Sequence, residues 1–127
     1  MSIEPLEFYA FYGTLRRGME NHQAFATSLH YLDSSILKGY RMYSLVDYPY
    51  VVFTGNAYDS ISIELFQITS AHTEQMIYQM EMEAGYILST VVVNGNKFGL
   101  YIFPGVDPAH ASVPQGDWVK YTHSGSF

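Results

Sequence analysis

The sequence predicts an α+β fold, a small antiparallel or mixed β-barrel of five to seven short strands with flanking helices. Three observations predict it. Aromatic residues make up 17% of the chain, with twelve Tyr and eight Phe, and such side chains favour the pleated, half-buried surface of a strand. Ser60 to Ile68 alternates apolar and polar residues with the two-residue period of a strand. Asn94-Gly95 sits between two apolar runs, the preferred chemistry of a tight primed hairpin turn. Most connections between runs are too short for a parallel crossover, so neighbouring strands are read as antiparallel. At 127 residues the chain makes one domain, residues 1–127, large enough to bury a core.

The elements follow in order. Glu7 to Tyr12 is a continuous aromatic and apolar run, read as a strand buried on both faces. It stops at Gly13-Thr14-Leu15-Arg16-Arg17-Gly18, a turn bounded by glycines. Asn21 to Tyr31 is expected to form a short helix, since Ala24, Phe25, Leu29 and, just beyond, Leu32 recur at roughly helical spacing. Ile36 to Leu45 reads as a second strand, and Pro49 predicts a bend because proline breaks a central strand. Tyr50 to Phe53 is a short third run. In Ser60 to Ile68, Ile61, Ile63 and Leu65 share one face while Ser62 and Glu64 take the other, a half-buried strand. Thr69-Ser70 offers an N-cap for a helix running to about Met82. Tyr86 to Val93 and Lys97 to Phe103 form the hairpin around Asn94-Gly95. Pro104, Pro108 and Pro114 mark the tail as mostly loop.

Composition narrows the function. Apolar residues at 48% and charged residues at 14% describe a folded domain rather than a disordered chain. A net charge of −6 disfavours nucleic acid and anionic membrane surfaces as partners. The chain has no cysteine, which fits a reducing compartment, and a cytoplasmic location is expected. Met1 to Glu7 carries two glutamates and no basic residue, unlike a signal peptide. No apolar run is long enough to span a bilayer. His22, His30, His72, His110 and His123 fall in no metal-binding spacing, and no phosphate loop, dinucleotide fingerprint or serine elbow is present, so neither metal nor cofactor is expected.

Three segments could carry chemistry. Tyr12-Gly13-Thr14-Leu15 ends a buried strand at a glycine, where a ligand can approach the backbone and amide N–H groups lack strand partners. Such amides can hold a carboxylate or a developing oxyanion. The plainer reading is a strand-ending turn. On the expected helix, Met76, Ile77, Met80 and Ala84 form one apolar face. Glu81 lies on one rim of that face and Glu83 on the other, at ~100° per residue. A carboxyl at such a rim is partly desolvated and rises toward the range of a general acid/base. The wheel does not choose between the two, and a glutamate there is more often simply solvated. Gly116-Asp117-Trp118 either closes over a pocket or makes a turn with an aromatic anchor.

In this order the segments resemble the gamma-glutamylcyclotransferase-like family. Tyr12-Gly13-Thr14-Leu15-Arg16-Arg17-Gly18 is similar to its Y-G-T-L-(K/R)-x-G hallmark, and Asn21-His22 follows as in the gamma-glutamylamine cyclotransferase branch. Gly39-Tyr40-Arg41-Met42-Tyr43 resembles the family's G-Y-x-L-Y, Tyr48-Pro49-Tyr50 its next turn, and Ile63-Glu64-Leu65-Phe66 its G-E-L-Y. Ile77 to Glu81 is similar to the L-D-x-x-E helix, Gly85-Tyr86 to the start of the following strand, and Gly116-Asp117-Trp118 to S-G-D-W. Ile77-Tyr78, Met82 and Ile63 depart from the family's L-D, a following glycine and the strand glycine.

The resemblance implies a small β-barrel with flanking helices. It makes Glu81, not Glu83, the catalytic acid/base, and Tyr12, Gly13, Thr14 and Leu15 the substrate-binding loop. The reaction implied is intramolecular: the α-amine of a small-molecule γ-glutamyl substrate attacks its own γ-carbonyl, releasing 5-oxoproline and an amine or amino acid without a cofactor. Two other readings compete. One is an inactive module on the same fold that binds a small carboxylate. The other is an interaction protein using Tyr9, Tyr31, Tyr48, Tyr50 and Tyr58 as surface anchors. The identity of the γ-glutamyl compound and the oligomeric state are not written in the sequence.

Overall fold

The computed structural model describes residues 4–124. Residues 1–3, within the stretch read above for a leader, lie outside them. The fold is α+β. Among the described residues, seven strands and three α-helices follow in the order β1 (Phe8–Phe11), α1 (Glu20–Phe25), β2 (Leu29–Lys38), β3 (Tyr40–Ser44), β4 (Pro49–Phe53), β5 (Ser60–Ile68), α2 (Ala71–Glu83), β6 (Ile87–Val93), β7 (Asn96–Ile102) and α3 (Trp118–Ser124). Five strands form a mixed sheet ordered β2-β5-β1-β7-β6, and β3 and β4 form a hairpin of their own. All ladders are antiparallel except β1 on β7, which is parallel at Tyr9 opposite Gly99. Gly99 is required by that contact, since a Cβ there would lie 2.7 Å from the Tyr9 ring. Hydrogen bonds from Phe103 N–H to Val51 O (3.0 Å) and from Val113 N–H to Met42 O (2.9 Å) tie the hairpin to the rest.

The central strand is the continuous run of the sequence. Tyr9, Ala10 and Phe11 are all buried, and successive residues serve two cores. Ala10 and Tyr12 pack with Met42, Val51, Ile61, Ile63 and Trp118. Tyr9 and Phe11 pack with Phe66, Ile77 and Tyr101, under α2. This second core corrects the half-buried reading of β5. Ile61, Ile63 and Leu65 do face one core, but Phe66 and Ile68 face the other, and Glu64 is also buried.

Other differences have local causes. The expected helix from Asn21 stops at Phe25, passes through one 3-10 turn at Ala26–Ser28, and Leu29 already pairs with Ile68. Long-range pairing along β5 overrides the helical spacing. The strand expected at Ile36–Leu45 is two strands, split at Gly39 with φ +90°. Pro49 opens β4 opposite Ser44, a position where the missing N–H costs no ladder bond. The tail holds an additional helix, α3. Asp117 caps it by accepting Lys120 N–H at 3.2 Å, and Trp118 beside it is 1% exposed. The turn at Asn94-Gly95 is as expected, with φ +52° and +81°. Of the tyrosines considered as surface anchors, Tyr9 and Tyr50 are core residues, while Tyr58 and Tyr48 are exposed. Among the described residues no helix is long and apolar enough to cross a membrane.

Candidate functional site

A cavity of ≈ 200 Å³ opens where β1 ends. Its floor is Ala10 to Leu15, and Asn21 of α1 closes one side. Tyr48 and Pro49 enter from the loop before β4, Met80, Glu81 and Ala84 from α2, and Tyr86 and Tyr101 from the C-terminal strand region. The five residues singled out in the sequence, Tyr12, Gly13, Thr14, Leu15 and Glu81, therefore all line one cavity. Glu83 is exposed and accepts a hydrogen bond from Gln79 Nε2 at 3.3 Å. The two rims of the helix are thus distinct environments: one faces the cavity, the other water. Gly116-Asp117-Trp118 lies outside the cavity lining and is a capped helix start with an aromatic anchor.

The turn is held from several sides. Arg16 N–H donates to Gly13 O (3.0 Å), His22 N–H to Thr14 O (3.0 Å), and Asn21 Nδ2 to Thr14 Oγ1 (2.7 Å). The N–H groups of Gly13, Thr14 and Leu15 donate to no acceptor among the described residues. Gly13 is needed for close approach: a Cβ there would meet Pro49 Cγ at 2.9 Å. Leu15 is buried and anchors the turn in the core.

Glu81 stands on a helix whose register is set by buried contacts. Ser70 caps it by accepting Thr73 N–H at 3.2 Å. Ile77 is fully buried, and Glu74, one turn earlier, accepts from Tyr9 OH and from Leu6 N–H (2.9 Å). Burial pushes the Glu81 carboxyl up to about 7. Around it are tyrosines held neutral. Burial raises Tyr12, Tyr86 and Tyr101 well above their ordinary value, and the Glu81 charge adds to each shift. Tyr12 OH donates to Tyr101 O (2.6 Å) and Tyr86 OH to Pro49 O (2.5 Å). The buried Tyr101 hydroxyl has no hydrogen-bond partner among the described residues.

Sequence reading did not find Tyr101, Met80 or Tyr48 as cavity residues. Tyr101 sits in an aromatic strand among other core tyrosines, and no local pattern marks it. Asn21, Tyr48, Pro49 and Met80 lay in quoted segments, but their place in the wall comes from the fold.

The chain is matched over residues 9–120 by the family model described as gamma-glutamyl cyclotransferase, AIG2-like. Among solved structures, an uncharacterized protein from Pyrococcus horikoshii shares 25% identity at a TM-score of 0.76, over 94% of this chain and 97% of that one. The ytfP protein of Escherichia coli shares 18% identity at a TM-score of 0.69, over 91% and 98%. An AIG2-like protein of Mus musculus shares 14% identity at a TM-score of 0.64, over 80% of each chain. No curated protein sequence matches the chain.

Proposed function

The chain belongs to the gamma-glutamyl cyclotransferase, AIG2-like family, and on that premise we propose that it converts a γ-glutamyl amide into 5-oxoproline and a free amine or amino acid. One observation carries the reading. A carboxyl raised to about 7 shares a small cavity with a turn whose amides are free.

The substrate's α-amine attacks its γ-carbonyl carbon. The new C–N bond closes a five-membered lactam, and the original amide C–N bond breaks. Glu81 takes a proton from the α-ammonium and returns it to the departing nitrogen. The second proton, lost by the attacking nitrogen as the lactam forms, follows to the same amine, which leaves as its ammonium, so the enzyme ends as it began. A positioned acid/base of this kind contributes on the order of 10²–10⁴-fold. The N–H groups of Gly13, Thr14 and Leu15 hold the α-carboxylate or the oxyanion, where one such donor is worth roughly 10²–10³-fold. Folding the substrate into a reactive conformer supplies the rest, because both reacting groups belong to one molecule. An enzyme nucleophile has no task in this scheme.

The test is 5-oxoproline release from a panel of γ-glutamyl compounds by the wild-type chain, Glu81→Gln and Glu83→Gln. Loss with Glu81→Gln and retention with Glu83→Gln is the expected pattern. Equal turnover by all three removes Glu81 from the mechanism. Tight 5-oxoproline binding by wild type with no turnover of any compound favours the binding-module reading instead.

A further inference from the structure

The carboxylate of Glu64 is buried in β5, its side chain 5% exposed, and the chemistry above does not use it. It accepts three hydrogen bonds from the far end of the substrate turn: Arg16 Nε (3.1 Å), Arg17 Nε (3.2 Å) and the Arg17 main-chain N–H (2.9 Å). Arg16 reaches on with Nη1 to Asp117 Oδ1 (3.0 Å), the oxygen that also caps α3. Burial alone would raise the Asp117 carboxyl, but Lys120 N–H and the Arg16 guanidinium outweigh it and hold it below its ordinary value. The guanidinium of Arg17 lies 3.6 Å over the Tyr31 ring.

The two cations and two anions cancel, so the cluster places no net charge beside the cavity. Burying such a cluster is costly, and well-packed apolar side chains of similar volume are often no less stable. An apolar side chain, however, cannot accept a main-chain N–H. Glu64 accepts that of Arg17, two residues past Leu15, and so fixes the direction in which the backbone leaves the turn. We infer that Glu64 is a positioning residue: together with Arg16 and Asp117 it holds residues 13–18 in the shape that leaves the Gly13, Thr14 and Leu15 amides open to the cavity. This rests on the reading that these amides hold the γ-glutamyl group.

The test compares wild type with Glu64→Gln, which keeps the side chain's shape, removes its charge and sets an NH₂ where one of the two carboxylate oxygens accepts from an arginine. Hydrogen bonds from the turn amides to a bound carboxylate are charge-assisted and stronger than neutral ones, so KM and the 5-oxoproline Kd should each rise by at least about 10-fold when the turn shifts. The pH midpoint of kcat/KM, which belongs to Glu81, should not move. A folded Glu64→Gln with wild-type KM and 5-oxoproline affinity overturns the inference. So does a lowered kcat with a displaced midpoint and unchanged binding. Should that variant not fold, Asp117→Asn releases one hand of Arg16 outside the cavity and should weaken 5-oxoproline binding about 3-fold, one lost charge-assisted bond being shared by the rest of the network. Unchanged binding in a folded Asp117→Asn is equally fatal. If wild type binds 5-oxoproline but turns over no amide, the cyclotransferase reading fails while the Kd comparison still decides the role of Glu64. If wild type binds neither, both fall.

Discussion

At the residue scale the protein holds one carboxyl in an environment that costs stability. Glu81 titrates near 7 because burial penalises its charge. A group raised in this way stabilises the fold only while protonated. Its contribution is whole below the unfolded value of 4.5 and is lost as the pH passes about 7. Glu81→Gln should therefore be more stable than wild type above neutrality, by at most about 3 kcal/mol, and no different below pH ~4.5. Urea unfolding of both proteins at pH 4.5 and pH 8.5 measures this, and an equal difference at the two pH values counts against it. The same titration governs rate. A base that must accept a proton works only when ionised, so kcat/KM, which follows the free enzyme, should climb through pH ~7 as Glu81 deprotonates. Gly13 makes the second residue-scale prediction. With Pro49 Cγ 2.9 Å from the place of its missing Cβ, Gly13→Ala must push the turn or the proline aside. Overpacking of this kind costs about 1–3 kcal/mol, and here KM should rise as well. Thermal unfolding together with steady-state kinetics separates the two effects.

At the element scale the question is what aims α2. Its apolar stripe was legible in the sequence, and so was its Ser70 cap, which accepts Thr73 N–H. The placement of its carboxylates was not. Glu74, Glu81 and Glu83 look alike along the chain, yet the first is buried against β1, the second faces the cavity and the third faces water. Packing separates them: Glu74 accepts from the Tyr9 hydroxyl under the helix and from Leu6 N–H, Glu81 meets the cavity, and Glu83 meets Gln79 and water. Tyr9→Phe removes that donor and leaves a buried carboxylate one hydrogen bond short, a loss of roughly 1–3 kcal/mol. Denaturant unfolding should show it, and wild-type stability in Tyr9→Phe would mean that the bond does not hold α2. The elements misjudged from sequence share one cause. β2 is set by pairing with β5, up to thirty-nine residues away at Leu29 opposite Ile68, while beyond Gly39 the chain pairs with β4 instead, and no window of neighbouring residues contains that information. α3 is different. Asp117 before Trp118 and Tyr121 carried a legible cap and spacing, and the prolines around it drew the reading toward loop.

For the whole molecule, the C-terminal segment closes the architecture. Trp118 is 1% exposed in the core that also holds Ala10, Tyr12 and Met42, and Asp117 beside it grips Arg16 of the substrate turn. Trp118→Ala should cost about 3–5 kcal/mol in global stability, as large aromatic truncations in a packed core do. A loss confined to the last helix, with the midpoint of the remainder unchanged, would instead make α3 an independent appendage. By itself the sequence determined the fold class, the hairpin, the capped helix and the ordered motifs that mark the family. These depend on periodicity, turn chemistry and composition, which are properties of neighbouring residues. The tertiary structure alone decided that Glu81 and residues 12–15 share a cavity, that Glu83 does not, and that Glu64 grips the turn. Burial and distance between segments about seventy residues apart arise only when the chain packs, and the raised carboxyl is a consequence of that packing.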